Sequence, residues 1–433
     1  MDRVKTSANE PCSSGTIQTK GNEDTIERHK KPHKRKATSV GGESEEVGET
    51  ESSEITIPKS KKQKVESVSS QLFVMGENNV GQLGFGLTIE RLMRPTLLEL
   101  SDYISSIAAG GMHSVCLTES GEVITFGCND EGALGRSGDE EMSPDEVEIP
   151  EKVIQISAGD SHSAALTEYG HVYLWGNFRN GNGPMGLVAD GVKEMRPVRI
   201  LSNIQISKIS SGADHLACLS RDGIVYTCGC GEQGQLGRLP AVPDPAAVPL
   251  RIPIEDIWTS NYCTFLKAEE TGQIFAFGLN NCCQLGYENE LVAYTPKQVL
   301  SFNGKTRKEI AGGQHHTLIL DSDGLVYSMG RKDYGRLGLE DNAGDKSSPT
   351  LITSLENEKC SNISCGDAVS FAVTEEGSLY AWGMGCNCQL GHGNEDDCHI
   401  PRLVEGNFAN FWKVLKVSSG GQHTLVLATP RES

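Results

Sequence analysis

The stretch "LFVMGENNVGQLG", residues 72–84, decides the fold. It reads as a strand ending in glycine that runs into a G-x-L-G turn. The turn returns as "GALG" 132–135, "GPMG" 183–186, "GQLG" 234–237, "CQLG" 283–286, "GRLG" 335–338 and "CQLG" 388–391. The third residues are Leu83, Leu134, Met185, Leu236, Leu285, Leu337 and Leu390, with successive gaps of 51, 51, 51, 49, 52 and 53. A period of about fifty residues marks a blade-type array.

A second phrase interleaves with the first. It is written "AGGMHSVCL" 109–117, "SAGDSHSAAL" 157–166, "SSGADHLACL" 210–219, "AGGQHHTLIL" 311–320 and "SSGGQHTLVL" 418–427. Placed at His113, His162, His215, Tyr262, His315, Val369 and His423, it also occurs seven times. An alternating apolar strand follows each phrase, then a glycine turn such as "TESG" 118–121 or "TEEG" 374–377, then a strand such as "VYLWG" or "LYAWG". Glycine turns between such runs are hairpin signals, so the class is all-β.

The order of the halves fixes the topology. The repeat region opens on residues 72–84, a second half, and closes on 418–427, a first half. In an open array both would be unpaired edges. Closure removes the edges. The expectation is a seven-bladed β-propeller over 71–428, closed by pairing of the chain ends, with a short extension at 429–433. Glycine gives close approach where blades crowd the axis, and the repeated histidine is expected to be a hydrogen-bonded structural group.

Charge separates the tail from the repeats. Residues 1–70 hold 13 Lys+Arg and 12 Asp+Glu, which leaves 26 and 46 for the remainder, a net of −20. So acidic a body is a poor general binder of nucleic-acid phosphate and suits a basic partner surface. The tail is poor in aromatics and rich in Ser, Glu, Lys and Thr, which predicts disorder. It carries two basic clusters: Lys30, Lys31, Lys34, Arg35 and Lys36, then Lys59, Lys61, Lys62 and Lys64. Such clusters read as nuclear localisation signals, contacted by an import receptor. No apolar run reaches membrane-span length, no secretory signal is apparent, and no membrane partner is expected. The 14 cysteines lack the paired spacing of a zinc site, so reduced thiols are expected, with no metal and no cofactor.

Function is expected where the repeat breaks. Asp160, Asp214 and Asp367 place carboxylates just before the histidine position. The third G-x-L-G half is preceded by Phe178, Arg179, Asn180, Gly181 and Asn182 and runs from Gly183 through Pro184 and Met185; the Asn-Gly steps predict a small projecting hairpin. Nucleophile-elbow, P-loop, H-E-x-x-H and EF-hand motifs are all missing from the sequence.

The segments "PKSKKQKV", "AGGMHSVCL", "CNDEGALGR" 128–136, "CGEQGQLGR" 230–238, "GGQHHT", "YGRLGL" 334–339, "AWGMG" 381–385 and "VSSGGQHT" carry a resemblance. Over residues 58–428 the chain resembles the regulator of chromosome condensation family, nuclear guanine nucleotide exchange factors for the small GTPase Ran. The resemblance implies a propeller with one face for Ran and another for nucleosomes, both histones and DNA, and no covalent catalysis. It implies a β-wedge from the third blade, here Phe178–Met185, pressed on Ran's phosphate-binding region. It implies exchange residues at Asp160, Asp214, His315, His113 and His423. Three positions depart from the family. Asn79 stands where the family has an acidic residue, the chain begins Met1-Asp2-Arg3 rather than with the family's Pro-Lys, and the family's long basic loop is replaced by the proline-rich 239–253, with Arg238 and Arg251 nearby. A non-catalytic propeller scaffold for chromatin or trafficking proteins is the alternative.

Overall fold

In the second strand of each blade nearly every residue is buried, as in His113–Thr118 and His162–Thr167. The first strand alternates instead, as in Ile104–Ala109. Both patterns follow from sheets stacked face to face around an axis. A middle strand is covered on both faces, so its side chains are buried on each, while the inner strand lines a central space. The computed structural model describes residues 70–432 except 138–139, 188–190, 240–241, 303–306 and 341–343.

Seven four-stranded antiparallel sheets make the propeller. Blade 1 is the closing blade, strand order Arg91–Leu98, Gln71–Glu77, His423–Pro430, Trp412–Ser419. Blades 2 to 7 follow in chain order, over 104–147, 153–200, 206–247, 254–298, 307–351 and 360–403. The chain ends meet as expected: Gln71 pairs with Ala428, and the register runs to Gly76 opposite His423. Apolar clusters fill the space between neighbouring blades. Val115, Leu117, Ile156, Tyr173 and Trp175 pack between blades 2 and 3.

The inner strands of all seven blades line an axial channel of about 340 Å³. Its waist carries charges of both signs. Lys208 pairs with Asp256, Lys416 Nζ donates to Ser106 Oγ at 3.3 Å, and Asn362 Nδ2 donates to Glu309 Oε1 at 3.1 Å. Backbone bonds stitch the blades together at one mouth. Asp160 N donates to Ala213 O at 2.8 Å, Ala213 N to Asn261 O at 3.0 Å, and Gly111 N to Gly159 O at 3.1 Å.

The repeated histidines seal the junctions between blades. His113 Nε2 lies 2.8 Å from Ser163 Oγ, His423 Nε2 2.9 Å from Ser114 Oγ, His215 Nε2 2.9 Å from Thr264 Oγ1, and His316 Nε2 2.9 Å from Ser370 Oγ. Each of these hydroxyls donates to a turn carbonyl, as Ser163 does to Ala133 O at 2.8 Å. With the hydroxyl proton so placed, the histidine Nε2 is the donor. The phase of the strands corrects the expected register. The positions equivalent to His113 are Cys263 and His316, whereas Tyr262 and His315 stand one residue earlier, on the other side of the strand. The phrase's glycine also finds its reason here. A Cβ on Gly159 would lie 2.1 Å from His162 Cε1, so the imidazole occupies the space a side chain would need.

The described cysteines are free thiols, most of them wholly or partly buried. Among the described residues no helix is long and apolar enough to cross a membrane, and no His/Cys/Asp/Glu group is arranged to hold a metal ion. The basic clusters at 30–36 and 59–64 lie outside the described residues.

Candidate functional site

The turns before the second strands converge on one mouth of the channel. Two residues before the buried position come Gly111, Asp160, Ala213, Asn261, Gln314, Asp367 and Gly421; one residue before it come Met112, Ser161, Asp214, Tyr262, His315, Ala368 and Gln422. Asp160 and Asp367 therefore share the inner ring, and Asp214 and His315 share the next. Asn261 Nδ2 donates to Asp367 Oδ1 at 2.8 Å, a bond that bridges blades 5 and 7.

Asp160 reaches solvent at the mouth, but protein crowds its carboxylate. Lost hydration, then the nearby Asp367 and Asp214 carboxylates, push its pKa up to about 7, against a smaller opposing effect of Arg179. Asp214 is raised to about 6 by burial, moderated by the backbone N–H and the charge of Arg179. Burial likewise raises Asp367. His315 is half-buried and held below the usual imidazole range, first by burial and then by Arg336 and Arg331. Asn79 is exposed on its turn.

The hairpin forms. Phe178–Asn180 pairs with Gly183–Gly186 as a two-stranded ribbon separate from the blades, turning at Gly181-Asn182. Gly183 holds φ +119°, a conformation open to glycine, which is why the Asn-Gly step can turn so tightly. Its base is a corrected reading of the repeat. "GPMG" is a ribbon strand rather than a G-x-L-G turn, and Leu187 rather than Met185 is the buried leucine of blade 3. Phe178 is fully buried and anchors the ribbon, its ring 4.7 Å from that of His162.

That anchoring has a cost at the junction. Where other junctions carry serine or threonine, blade 4 carries Leu216. Neither nitrogen of His162 has a hydrogen-bond partner. Burial, with smaller contributions from His113 and His215, drops its pKa to about 3. The apolar Leu216 and Phe178 share one cluster with Leu187. A hydroxyl at 216 would suit His162 and suit Phe178 badly.

Acidic groups surround the hairpin. Arg179 N donates to Asp214 Oδ1 at 2.8 Å, so part of the Asp214 carboxylate is already engaged. Arg179 forms an ion pair with Glu131, and Gly181 N donates to Glu232 Oε2 at 2.9 Å. Sequence reasoning missed Glu131 and Glu232, which look like ordinary turn residues. Beside the ribbon, a cavity of about 460 Å³ is lined by Asp130, Glu131, Asp160, Arg179 and Asp367 among others.

His113 and His423 are almost wholly buried. Their ring nitrogens face Ser163 and Ser114, which makes them braces between blades. Arg238 is also withdrawn. Its guanidinium donates to Thr227 O at 3.0 Å, Val242 O at 2.8 Å and Asp244 O at 2.7 Å, which leaves Arg251 as the exposed arginine of 239–253.

The pattern of seven such blades has relatives. An RCC1-like domain model matches residues 71–426. The chain belongs to the RCC1-like family. Its sequence is 43% identical over 389 residues to the regulator of chromosome condensation of Xenopus laevis, covering 84% of this chain and 91% of that one. The crystal structure of Prp20p from Saccharomyces cerevisiae, described with its binding properties to Gsp1p and histones, superposes with TM-score 0.80 at 29% identity, over 85% of this chain and 93% of that one. Yeast RCC1 (Prp20) bound to Kap60 gives TM-score 0.79 at 27% identity, over 88% and 97%. The RCC1-like fold accounts for the seven blades and the closure between the ends.

Proposed function

We propose that this RCC1-like chain is a guanine nucleotide exchange factor for the small GTPase Ran. On this reading it promotes GDP release in the nucleus, on chromatin, by stabilising nucleotide-free Ran. The observation that carries the proposal is the ribbon Phe178–Gly186 standing beside a mouth ringed with carboxylates. Relatives named for chromosome condensation, and a yeast neighbour described by its binding to Gsp1p, support it.

An exchange factor forms and breaks no covalent bond. A GTPase holds its nucleotide through Mg²⁺ and a backbone cradle around the phosphates. A partner that binds the empty state better than the loaded one weakens the nucleotide by linkage. In this chain Asp160 and Asp367 meet basic groups of the GTPase, and the ribbon tip displaces the cradle. Asp214 holds the ribbon base as well as adding charge, and His315 lies on the same ring. The propeller supplies stiffness, because a wedge that yields does no work on its target.

Chromatin contact and import are assigned to other parts. The yeast neighbour's histone binding supports a nucleosome partner, and its complex with Kap60 supports an import receptor acting on the basic clusters at 30–36 and 59–64. With Arg238 engaged internally, the 239–253 loop offers little positive charge, so nucleosome binding depends on the tail. The decisive experiment is release of a fluorescent guanine nucleotide from purified Ran. Catalytic acceleration by the full chain is expected, and release at the spontaneous rate would overturn the proposal.

A further inference from the structure

We infer that Glu131 and Glu232 are positioning residues that clamp the blade-3 ribbon from the two flanking blades and set the attitude in which it meets the GTPase. The inference rests on the exchange reading above. An isolated two-stranded ribbon is marginal in water. Something outside it must hold it if it is to press on another protein. Phe178 fixes the base, but a buried base does not by itself fix the direction of the tip.

The direction is set from both sides. Glu131 stands on the turn of blade 2 and uses both carboxylate oxygens. Oε1 pairs with Arg179 on the first ribbon strand, and Oε2 accepts from Asn177 Nδ2 at 2.7 Å. Asn177 is buried, and its Oδ1 accepts from Gly186 N at 2.7 Å at the end of the second strand. One carboxylate thus reaches both strands of the ribbon. Glu232 stands on the turn of blade 4, and its Oε2 accepts the N–H of Gly181 at the tip, 2.9 Å away. A solvating surface acid would point away from the ribbon. These two point into it, and charge-assisted bonds are the stronger kind.

Amide hydrogen exchange and nucleotide release on the full-length chain test the clamp. In the doubly substituted Glu131→Ala, Glu232→Ala protein, peptides covering 177–187 should take up deuterium faster, with melting temperature and the rest of the propeller unchanged. The maximal rate of nucleotide release from Ran should fall about tenfold to a hundredfold, as expected when a positioned group is loosened, while the Ran concentration for half-maximal rate stays the same. Glu232→Gln keeps an oxygen for Gly181 N and should keep both protection and rate. Unchanged deuterium uptake in the double variant would overturn the clamp, and so would a loosened ribbon with an undiminished rate. A Glu232→Gln protein with faster deuterium uptake over 177–187 and a reduced rate would overturn the reading that Glu232 holds the tip by accepting from Gly181 N. If the wild-type chain releases no nucleotide from Ran, the functional reading falls, while deuterium uptake still decides whether the carboxylates clamp the ribbon.

Discussion

Six of the seven junctions between blades are sealed in one way, and the junction between blades 3 and 4 in another. In the six, a buried hydroxyl (Ser114, Ser163, Thr264, Thr317, Ser370 or Thr424) donates to the turn carbonyl of the preceding blade. Four of these hydroxyls also receive a histidine. At the remaining junction Leu216 and Phe178 replace the polar link, and His162 is left without a partner. The regular junctions make a ring. The irregular one gives up a polar seal to seat an element that projects from the ring. The histidine persists there although its partner is gone, which marks the site as a departure from the repeat.

The largest test of the regular junctions is at closure. Deleting residues 71–84 removes a central strand and the turn of blade 1, leaving His423–Pro430 without its partner. Aggregation in size-exclusion chromatography with light scattering is expected. A soluble monomer with unchanged melting would refute closure between the chain ends. Next is the irregular junction itself. Phe178→Ala should cost about 3–5 kcal/mol in urea unfolding, as truncation of a fully buried aromatic does, and should free the ribbon.

A sharper comparison places one substitution at both kinds of junction. His113→Leu removes the bond to Ser163 and should cost about 1 kcal/mol or more. His162→Leu removes a buried, unpartnered imidazole and should be neutral or stabilising. In chemical unfolding the first variant should therefore be the less stable of the two, and equal losses would erase the distinction between the junctions.

Acid acts with opposite signs on the junction histidines and on the carboxylates of the channel mouth. Burial holds His113 at about 4 and His162, His215, His316 and His423 at about 3. The folded state therefore binds fewer protons than the unfolded chain, and stability present above pH 6.5 is lost as pH falls toward 3–4. Asp160 and Asp214 are raised, so they favour the fold as pH falls from about 7 toward 4. These five imidazoles, with His315 and His392 also lowered, outnumber the raised carboxylates Asp160, Asp214, Asp367 and Glu309, which predicts net acid destabilisation, measurable as a falling melting temperature below pH 6.5. The smallest effect is on docking. The ionised form of Asp160 attracts a basic partner, so affinity for Ran should weaken as pH falls from 8 to 6, in the field of Asp367, Asp214 and Arg179. Asp160→Asn should flatten that dependence.

The all-β class, the seven units and the closure were legible because glycine turns and orphan halves are local or countable features of the chain. The hairpin was legible for the same reason, since Asn-Gly at 180–183 sets its own backbone. The register of the fourth and fifth phrases, at Tyr262 and His315, was not. Adjacent "HH" at 315–316 offers two candidates, and only strand phase separates the buried His316 from the rim residue His315. The structural role expected of the repeated histidine holds for His113 and His423, whereas the resemblance implied exchange residues there, and nothing in the chain announced which hydroxyls they meet or that Arg238 faces inward.

By itself, then, the sequence determined the repeat, its number and the place where it breaks, because short-range turn chemistry and periodicity set them. Only the tertiary structure decided which residues meet. Asp160 lies in the field of Asp367 at the channel mouth, Glu131 and Glu232 reach the ribbon from separate blades, and His162 lacks a partner because Leu216 stands about fifty residues away where a hydroxyl would be. Such pairings join groups far apart in the chain, and their distances arise only when the blades stack around the axis.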